Sequence, residues 1–269
     1  MANIPTTTRP AALAGHFYPA DPDELRATIA GFMAGAKPPA RPLPKALIVP
    51  HAGYVYSGTV AAKAYERLDG AADQIKRVVL LGPTHLVYVR GLAAPRATHF
   101  ATPLGSIVID RDALDDLANL PQIVFSDEAH AMEHSLEVQL PFLQRVAPHA
   151  KLVPLAVGDT SPRAVADIIE RFWDDASTLI VISSDLSHFH SYDDAKRRDS
   201  ATAANIEHFA DDDLSGEQAC GFLPIAGLLA AAKRRDARIE RIDLRNSGDT
   251  AGPRNRVVGY GSWAVYQAK

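Results

Sequence analysis

Three apolar runs of this chain lead into a histidine: 46–50 (ALIVP) runs into His51, 77–82 (RVVLLG) into Pro83-Thr84-His85, and 178–183 (TLIVIS) into the turn that carries His188. Neutral imidazole is a good ligand for iron, copper and zinc, and side chains at the carboxyl ends of sheet strands converge on one crevice even when far apart in sequence. Each histidine taken singly reads more simply as a structural or exposed residue. Three at equivalent positions, each beside Gly, Ser or Pro, read as a shared site.

The one cysteine, Cys220, is a further ligand candidate, because a thiolate adds soft character that favours zinc, Cu(I) or iron over magnesium or calcium. Its plainer reading is a small buried residue opening a helix. At a helix N-terminus the dipole is expected to lower its pKa and favour the thiolate. Glu133-His134-Ser135-Leu136-Glu137 opens an apolar-periodic stretch, with Glu133 and Glu137 on one helical face beside His134. These residues read either as acid/base groups feeding the pocket or as an ordinary acidic helix start. Ser183-Ser184-Asp185 either orients a metal-bound histidine through its carboxylate or caps the next turn. Neither 51–58 (HAGYVYSG) nor 82–85 (GPTH) matches a nucleotide-binding loop, and no GxSxG nucleophile elbow occurs. Asn246-Ser247-Gly248-Asp249 reads as a tight turn.

The elements that must position these residues alternate along the chain. A helix starts at Asp21-Pro22-Asp23-Glu24 and runs to about Ala34, and a proline-rich connector covers 37–44. Buried strands are expected at 46–50, 77–82, 151–157 and 178–183, whose continuous apolar character suits strands covered on both faces. Helical periodicity marks 57–68, 112–118, 133–146 and 162–173, then 192–209 and 220–235, followed by strands at 238–244 and 256–266. The alternation predicts a single α/β domain over 1–269, with 1–9 as a flexible lead-in and a mainly parallel or mixed central sheet flanked by helices.

Composition narrows the function classes. The 28 basic and 32 acidic residues give a net charge of −4, with basic residues dispersed, so sequence-independent nucleic-acid binding is not expected. A single cysteine rules out an intramolecular disulfide and fits a reducing compartment. The polar, Pro/Thr-rich start has no apolar signal region and no run approaches 18 apolar residues, so a cytoplasmic location off the membrane is the expectation. Monomer and homo-oligomer are both compatible with this composition.

The motifs together resemble those of the Memo family, which includes the bacterial and archaeal AmmeMemoRadiSam system protein B members. They are AGHFYP (14–19), VPHAGYVYSG (49–58), LLGPTH (80–85), TPLG (102–105), EHSLEVQLPFL (133–143), SSDLSH (183–188), CGFLPI (220–225) and VVGYGS (257–262). The resemblance implies a fold like that of class III extradiol dioxygenases, non-haem iron enzymes that open catechol-type rings. It implies His51, His85 and Cys220 as metal ligands, with Cys220 where the dioxygenases place a carboxylate. It also implies His134, Asp185 and His188 as groups that tune the site or move protons, and Phe17, Tyr54 and Glu133 around a substrate pocket. Phe17 stands where eukaryotic members have tryptophan. Fe(II) is the implied metal, with copper or zinc as competitors at a softer site. The implied activity is metal-dependent redox chemistry. Alternatives are a non-catalytic pocket for a peptide, a small aromatic or a partner, and retained ring cleavage. The implied partners are a radical-SAM protein and a small associated protein.

Overall fold

The computed structural model describes residues 6–35 and 42–268; the first part of the expected lead-in and most of the proline-rich connector (37–41) lie outside them. The strands are β1 (Thr8–Arg9), β2 (Ala46–Val49), β3 (Arg77–Pro83), β4 (Leu92–Ala94), β5 (His99–Thr102), β6 (Gly105–Val108), β7 (Ile123–Phe125), β8 (Lys151–Val157), β9 (Thr178–Ser183), β10 (His188–His190), β11 (Arg238–Asn246) and β12 (Val257–Tyr266). The helices are α1 (Pro22–Phe32), α2 (Tyr54–Tyr65), α3 (Arg111–Leu117), α4 (Glu128–Ala131), α5 (His134–Glu137), α6 (Leu140–Val146), α7 (Pro162–Trp173), α8 (Tyr192–Glu207) and α9 (Phe222–Lys233).

The four apolar runs become adjacent parallel strands in the order β2-β9-β3-β8, at the centre of a nine-stranded mixed sheet. Every residue of β2 and β9 is buried, as expected for strands covered on both faces. Antiparallel pairing of β12 to β2 and of β4 to β8 makes the sheet mixed, and β11 pairs with β12. One helical group, α1, α2 and α6, packs together with α2 against β2, β11 and β12; another, α7 and α9, packs together against β9 and β3.

Helix α1 begins as its sequence predicts, with the Asp21 carboxylate accepting the backbone N–H groups of Asp23 and Glu24 at 2.9 Å. The single helix expected over 133–146 is instead two, α5 and α6. Pro141 has no N–H to give to the carbonyl of residue 137, so the ladder cannot run through. That break turns Gln139 inward, where it is fully buried. The short strands β4, β5, β6 and β7 have no counterpart in the sequence reading, being three or four residues long, below the span over which alternation registers.

The described end of the lead-in is ordered. Thr8–Arg9 pairs with β5 in a separate three-stranded sheet, and Arg9 is buried. Its guanidinium donates to the Glu137 carboxylate and to the carbonyls of His130 and Glu133.

Candidate metal centre

The strand order places the chemistry. Because β9 lies between β2 and β3, the residues just past their carboxyl ends, His51, Asp185 and His85, meet at one edge of the sheet. His134, opening α5, completes a group: among the described residues, one ligand atom each from His51, His85 and His134 lies within 4.8 Å of the others. The His85 and His134 rings stack at 4.4 Å between centroids, and His51 stands edge-on to both at 5.3 Å. Two glycines permit the approach. A Cβ on Gly82 would lie 2.9 Å from Ser135 Oγ, and one on Gly221 would lie 2.7 Å from Ser184 Cβ, so larger residues would push α5 and the Cys220 turn away.

Hydrogen bonds fix which nitrogen the His51 and His85 rings present. Ser183 Oγ donates to the Ser135 carbonyl (2.6 Å) and accepts from Gln139 Nε2 (2.9 Å), which leaves it an acceptor toward His51 Nδ1 at 3.0 Å. His51 therefore carries its proton on Nδ1 and presents the lone pair of Nε2 on the side of the Cys220 thiol. Gln139 is itself held, since Tyr65 donates its hydroxyl to Oε1 (3.0 Å) and Nε2 also reaches the Pro50 carbonyl (2.9 Å). His85 Nδ1 donates to Glu133 Oε1 (2.8 Å), so its Nε2 is free. Glu133 also accepts the backbone N–H groups of His85 (2.6 Å) and Ser135 (2.8 Å). Burial works to raise the Glu133 pKa, but the His85 ring and these backbone donors outweigh it and hold the carboxyl at about 2.

Two of the imidazoles, His51 and His134, are held toward the neutral form. Burial, then the neighbouring His134, His85 and His188, hold His51 well below its ordinary value, and burial followed by His85 brings His134 to about 4. Neutral imidazole is the form a metal requires. The donor set fits a borderline or soft transition metal rather than magnesium or calcium.

Several expectations change at this level. Cys220 Sγ lies 3.2 Å from His51 Nε2, outside the group of three side chains whose candidate ligand atoms converge within 4.8 Å. Nor does it begin a helix: α9 starts at Phe222 with Gly221 as its N-cap, and burial followed by the charge of Asp185 pushes the thiol up to about 12. His134, expected to move protons, stands among the nitrogens that could hold a metal. His188 lies on the separate strand β10; Asp185 is the residue that follows β9 as His51 and His85 follow their strands, and His188 is held below its ordinary pKa mainly by burial. Asp185 accepts the backbone N–H groups of His51 (2.7 Å) and Ala52 (3.3 Å) and not a ring N–H; burial raises it to about 7. Glu133 binds His85 rather than forming open pocket wall. Tyr54 is a core residue, its ring against Tyr18, Phe32 and Phe142 and its hydroxyl donated to the Val138 carbonyl. The cleft wall there is Tyr56, because the first turn of α2 points 54 and 56 in different directions. Glu137 faces away from the histidines and binds Arg9, Ala12, Leu13 and Tyr18.

A cleft of about 490 Å³ opens beside the cluster, lined by Phe17, Tyr56, His134, Asp185, Phe189, Arg256 and Tyr260 among others. The Phe17 ring lies 4.9 Å from that of His134, and the Phe17 carbonyl accepts the Tyr54 N–H at 2.7 Å.

Asp199 supports the turn before His188 by accepting the Ser187 N–H at 3.0 Å. It is 2% exposed, and burial raises it to about 6 from 3.8. With the folded pKa above the unfolded one, the native state is most favoured below about pH 4 as far as this group is concerned, and that advantage is lost as pH rises through 6. Asp199→Asn keeps an acceptor for Ser187 and is expected to stabilise the protein at pH 7 by on the order of 2–3 kcal/mol and to flatten its stability profile between pH 4 and 6. Urea unfolding across that range checks it; a variant less stable than wild type at pH 7 refutes it.

An α/β fold whose central parallel strands end beside a cluster of three converging imidazoles defines a candidate metal-binding protein. The chain belongs to the Memo-like protein family, whose profile matches residues 9–264. MEMO1 family proteins of Aquifex aeolicus (34% identical; 94% of this chain, 97% of the relative), Thermoplasma volcanium (33%; 94% and 97%) and Methanobrevibacter smithii (33%; 94% and 98%) are similar over nearly their whole lengths. An uncharacterized protein of Escherichia coli K12 of known crystal structure shares the fold, with a TM-score of 0.52 at 13% identity, covering 80% of this chain and 98% of that one. Among the described residues no helix is long and apolar enough to cross a membrane.

Proposed function

We propose that this protein holds a redox metal, Fe(II) or copper in preference to zinc, at His51, His85 and His134 with the Cys220 thiol alongside, and carries out metal-dependent redox chemistry on a small molecule in the adjoining cleft. The observation that carries this reading is the convergence of three imidazole nitrogens, two of them on rings whose Nδ1 protons are tied to Ser183 and Glu133. Three protein ligands beside an open cleft is the pattern of catalytic rather than structural metal sites. A metal bound there would supply electron transfer and polarise a substrate oxygen. The chain's own residues do the rest: Ser183 and Glu133 hold the rings, Asp185 at the cleft wall is placed to hold or move a proton, His188 stands close by, and Phe17 covers His134.

The test is metal content by plasma mass spectrometry after anaerobic purification and loading with iron, copper and zinc in competition. Near-stoichiometric iron or copper is expected in the wild type. Cys220→Ser is expected to retain a metal on the three imidazoles while shifting the competition away from copper, since a soft donor is removed. A wild type that binds neither iron nor copper overturns the reading, and a Cys220→Ser competition profile identical to wild type removes the thiol from the site.

A further inference from the structure

The cleft beside the histidines is aromatic on its walls and cationic at one point. Phe17, Tyr56, Phe189 and Tyr260 line it, and Arg256 shares the lining. Arg256 is exposed and makes no ion pair or hydrogen bond with the described residues; its guanidinium lies 4.2 Å from the Phe189 ring centroid. Stacked in this way it keeps the N–H edge of its fork available for a planar anion. In a chain of net charge −4, where the neighbouring arginines Arg254 and Arg245 lie on Tyr192 and against Asp243, a free guanidinium on a cleft wall is a distinct feature.

Phe189 is held there by backbone geometry. It is the extra residue in β10: His188 pairs with Val258 and His190 with Val257, so Phe189 is left out of the ladder. Its φ of 66° is one that bulky residues adopt only when their surroundings enforce it, and the residue is 60% exposed. Bulges of this kind re-aim a side chain beside active sites. Here the bulge presents an aromatic face to the cleft and a platform to Arg256. The loop leading to Arg256 is fixed in turn by the Asn246–Asp249 capping box, by Val258 N–H donating to Ser247 Oγ (3.1 Å) and by Tyr192 N–H donating to the Arg254 carbonyl (3.0 Å).

We propose that the cleft takes a small aromatic carboxylate, its ring packed among Phe17, Tyr56 and Phe189 and its carboxylate paired with Arg256, so that the opposite edge of the ring points toward Asp185 and His134. A cavity of about 490 Å³ is of a size for one such molecule. The inference rests on the metal reading only for what would react at the histidine end; binding itself requires no metal.

The probes are para-hydroxybenzoate and its neutral analogue para-hydroxybenzamide, with acetate as an anion lacking a ring, titrated by calorimetry and ligand-observed NMR into metal-free protein. In the wild type the carboxylate is expected to bind about threefold to tenfold more tightly than the amide, since an exposed ion pair contributes modestly unless bidentate. Arg256→Gln is expected to abolish that preference, so that carboxylate and amide bind alike; Phe189→Gly, allowed at that φ, is expected to weaken both aromatic probes. Added salt lowers the carboxylate preference. Three results overturn the proposal: no saturable binding of either aromatic probe at millimolar concentration, a carboxylate preference that survives Arg256→Gln, or acetate binding as tightly as the benzoate. The wild type separates the two readings: aromatic-probe binding by a wild type that takes up no metal leaves this proposal standing where the metal reading has failed, and its absence in a wild type that does load metal sinks this one alone.

Discussion

Glu137→Leu is expected to cost about 3–5 kcal/mol of stability, the range for removing one partner of a buried ion pair. The Glu137 side chain is fully buried and accepts from four donors: the Arg9 guanidinium, the N–H groups of Ala12 (3.0 Å) and Leu13 (2.8 Å), and the Tyr18 hydroxyl. Substitution leaves Arg9 charged in a site where its ring of acceptors has shrunk to the carbonyls of Pro10, His130 and Glu133, and it orphans two backbone N–H groups. The urea midpoint should fall. Arg9→Met combined with Glu137→Leu should recover part of the loss, because the uncompensated charge is then gone, though the N–H groups of Ala12 and Leu13 stay unpaired. Phe17 follows this anchored segment to the cleft, so Glu137→Leu should also loosen Phe17 from His134, read as increased exchange of the Tyr54 amide that bonds the Phe17 carbonyl. A variant with an unchanged midpoint would mean that Glu137 does not anchor the N-terminal segment.

The second large effect is on metal affinity. His51→Ala is expected to abolish stoichiometric binding, because it removes the most deeply buried of the three nitrogens and the Cys220 contact together. Glu133→Gln leaves all three imidazoles in place and is expected to weaken binding by about 10- to 100-fold, the usual cost of losing the group that orients a ligand. The carboxylate fixes the His85 proton on Nδ1 and satisfies the N–H groups of His85 and Ser135 at once. An amide has one oxygen for three donors, so one N–H goes unpaired or the His85 ring turns. Competition against a chelator of known affinity gives the ratio, and proton–nitrogen correlation spectra of the histidine rings report the tautomer directly. Equal affinity in Glu133→Gln and wild type would mean that Glu133 is only a helix cap. Metal retained in His51→Ala at stoichiometric level would move the centre elsewhere.

The four central strands and their neighbouring helices are legible along the chain, since each is long enough for its apolar pattern to register: 46–50, 77–82, 151–157 and 178–183 are observed as Ala46–Val49, Arg77–Pro83, Lys151–Val157 and Thr178–Ser183. The turns at the carboxyl ends of the first two are legible too, and they bring His51 and His85 to one place. The short strands Leu92–Ala94 and Ile123–Phe125 are not, because three residues form a strand only when a neighbour offers a ladder.

Local sequence therefore determined the residue types, the strand ends and the helix start at Asp21, all set by interactions within a few positions. The partners of those residues were decided by tertiary structure alone. Glu133 and Glu137 share the same helical spacing, yet one holds His85 and the other Arg9, because the break at Pro141 and the close approach allowed by Gly82 seat α5 across the sheet edge. Gln139 and Tyr65, which lock His51 through Ser183, are separated from it by 88 and 14 positions and carry no mark of that role in the chain. The thiol of Cys220 shows the same limit in its pKa: a helix start would lower it, and burial beside Asp185, a property of the packed molecule only, raises it.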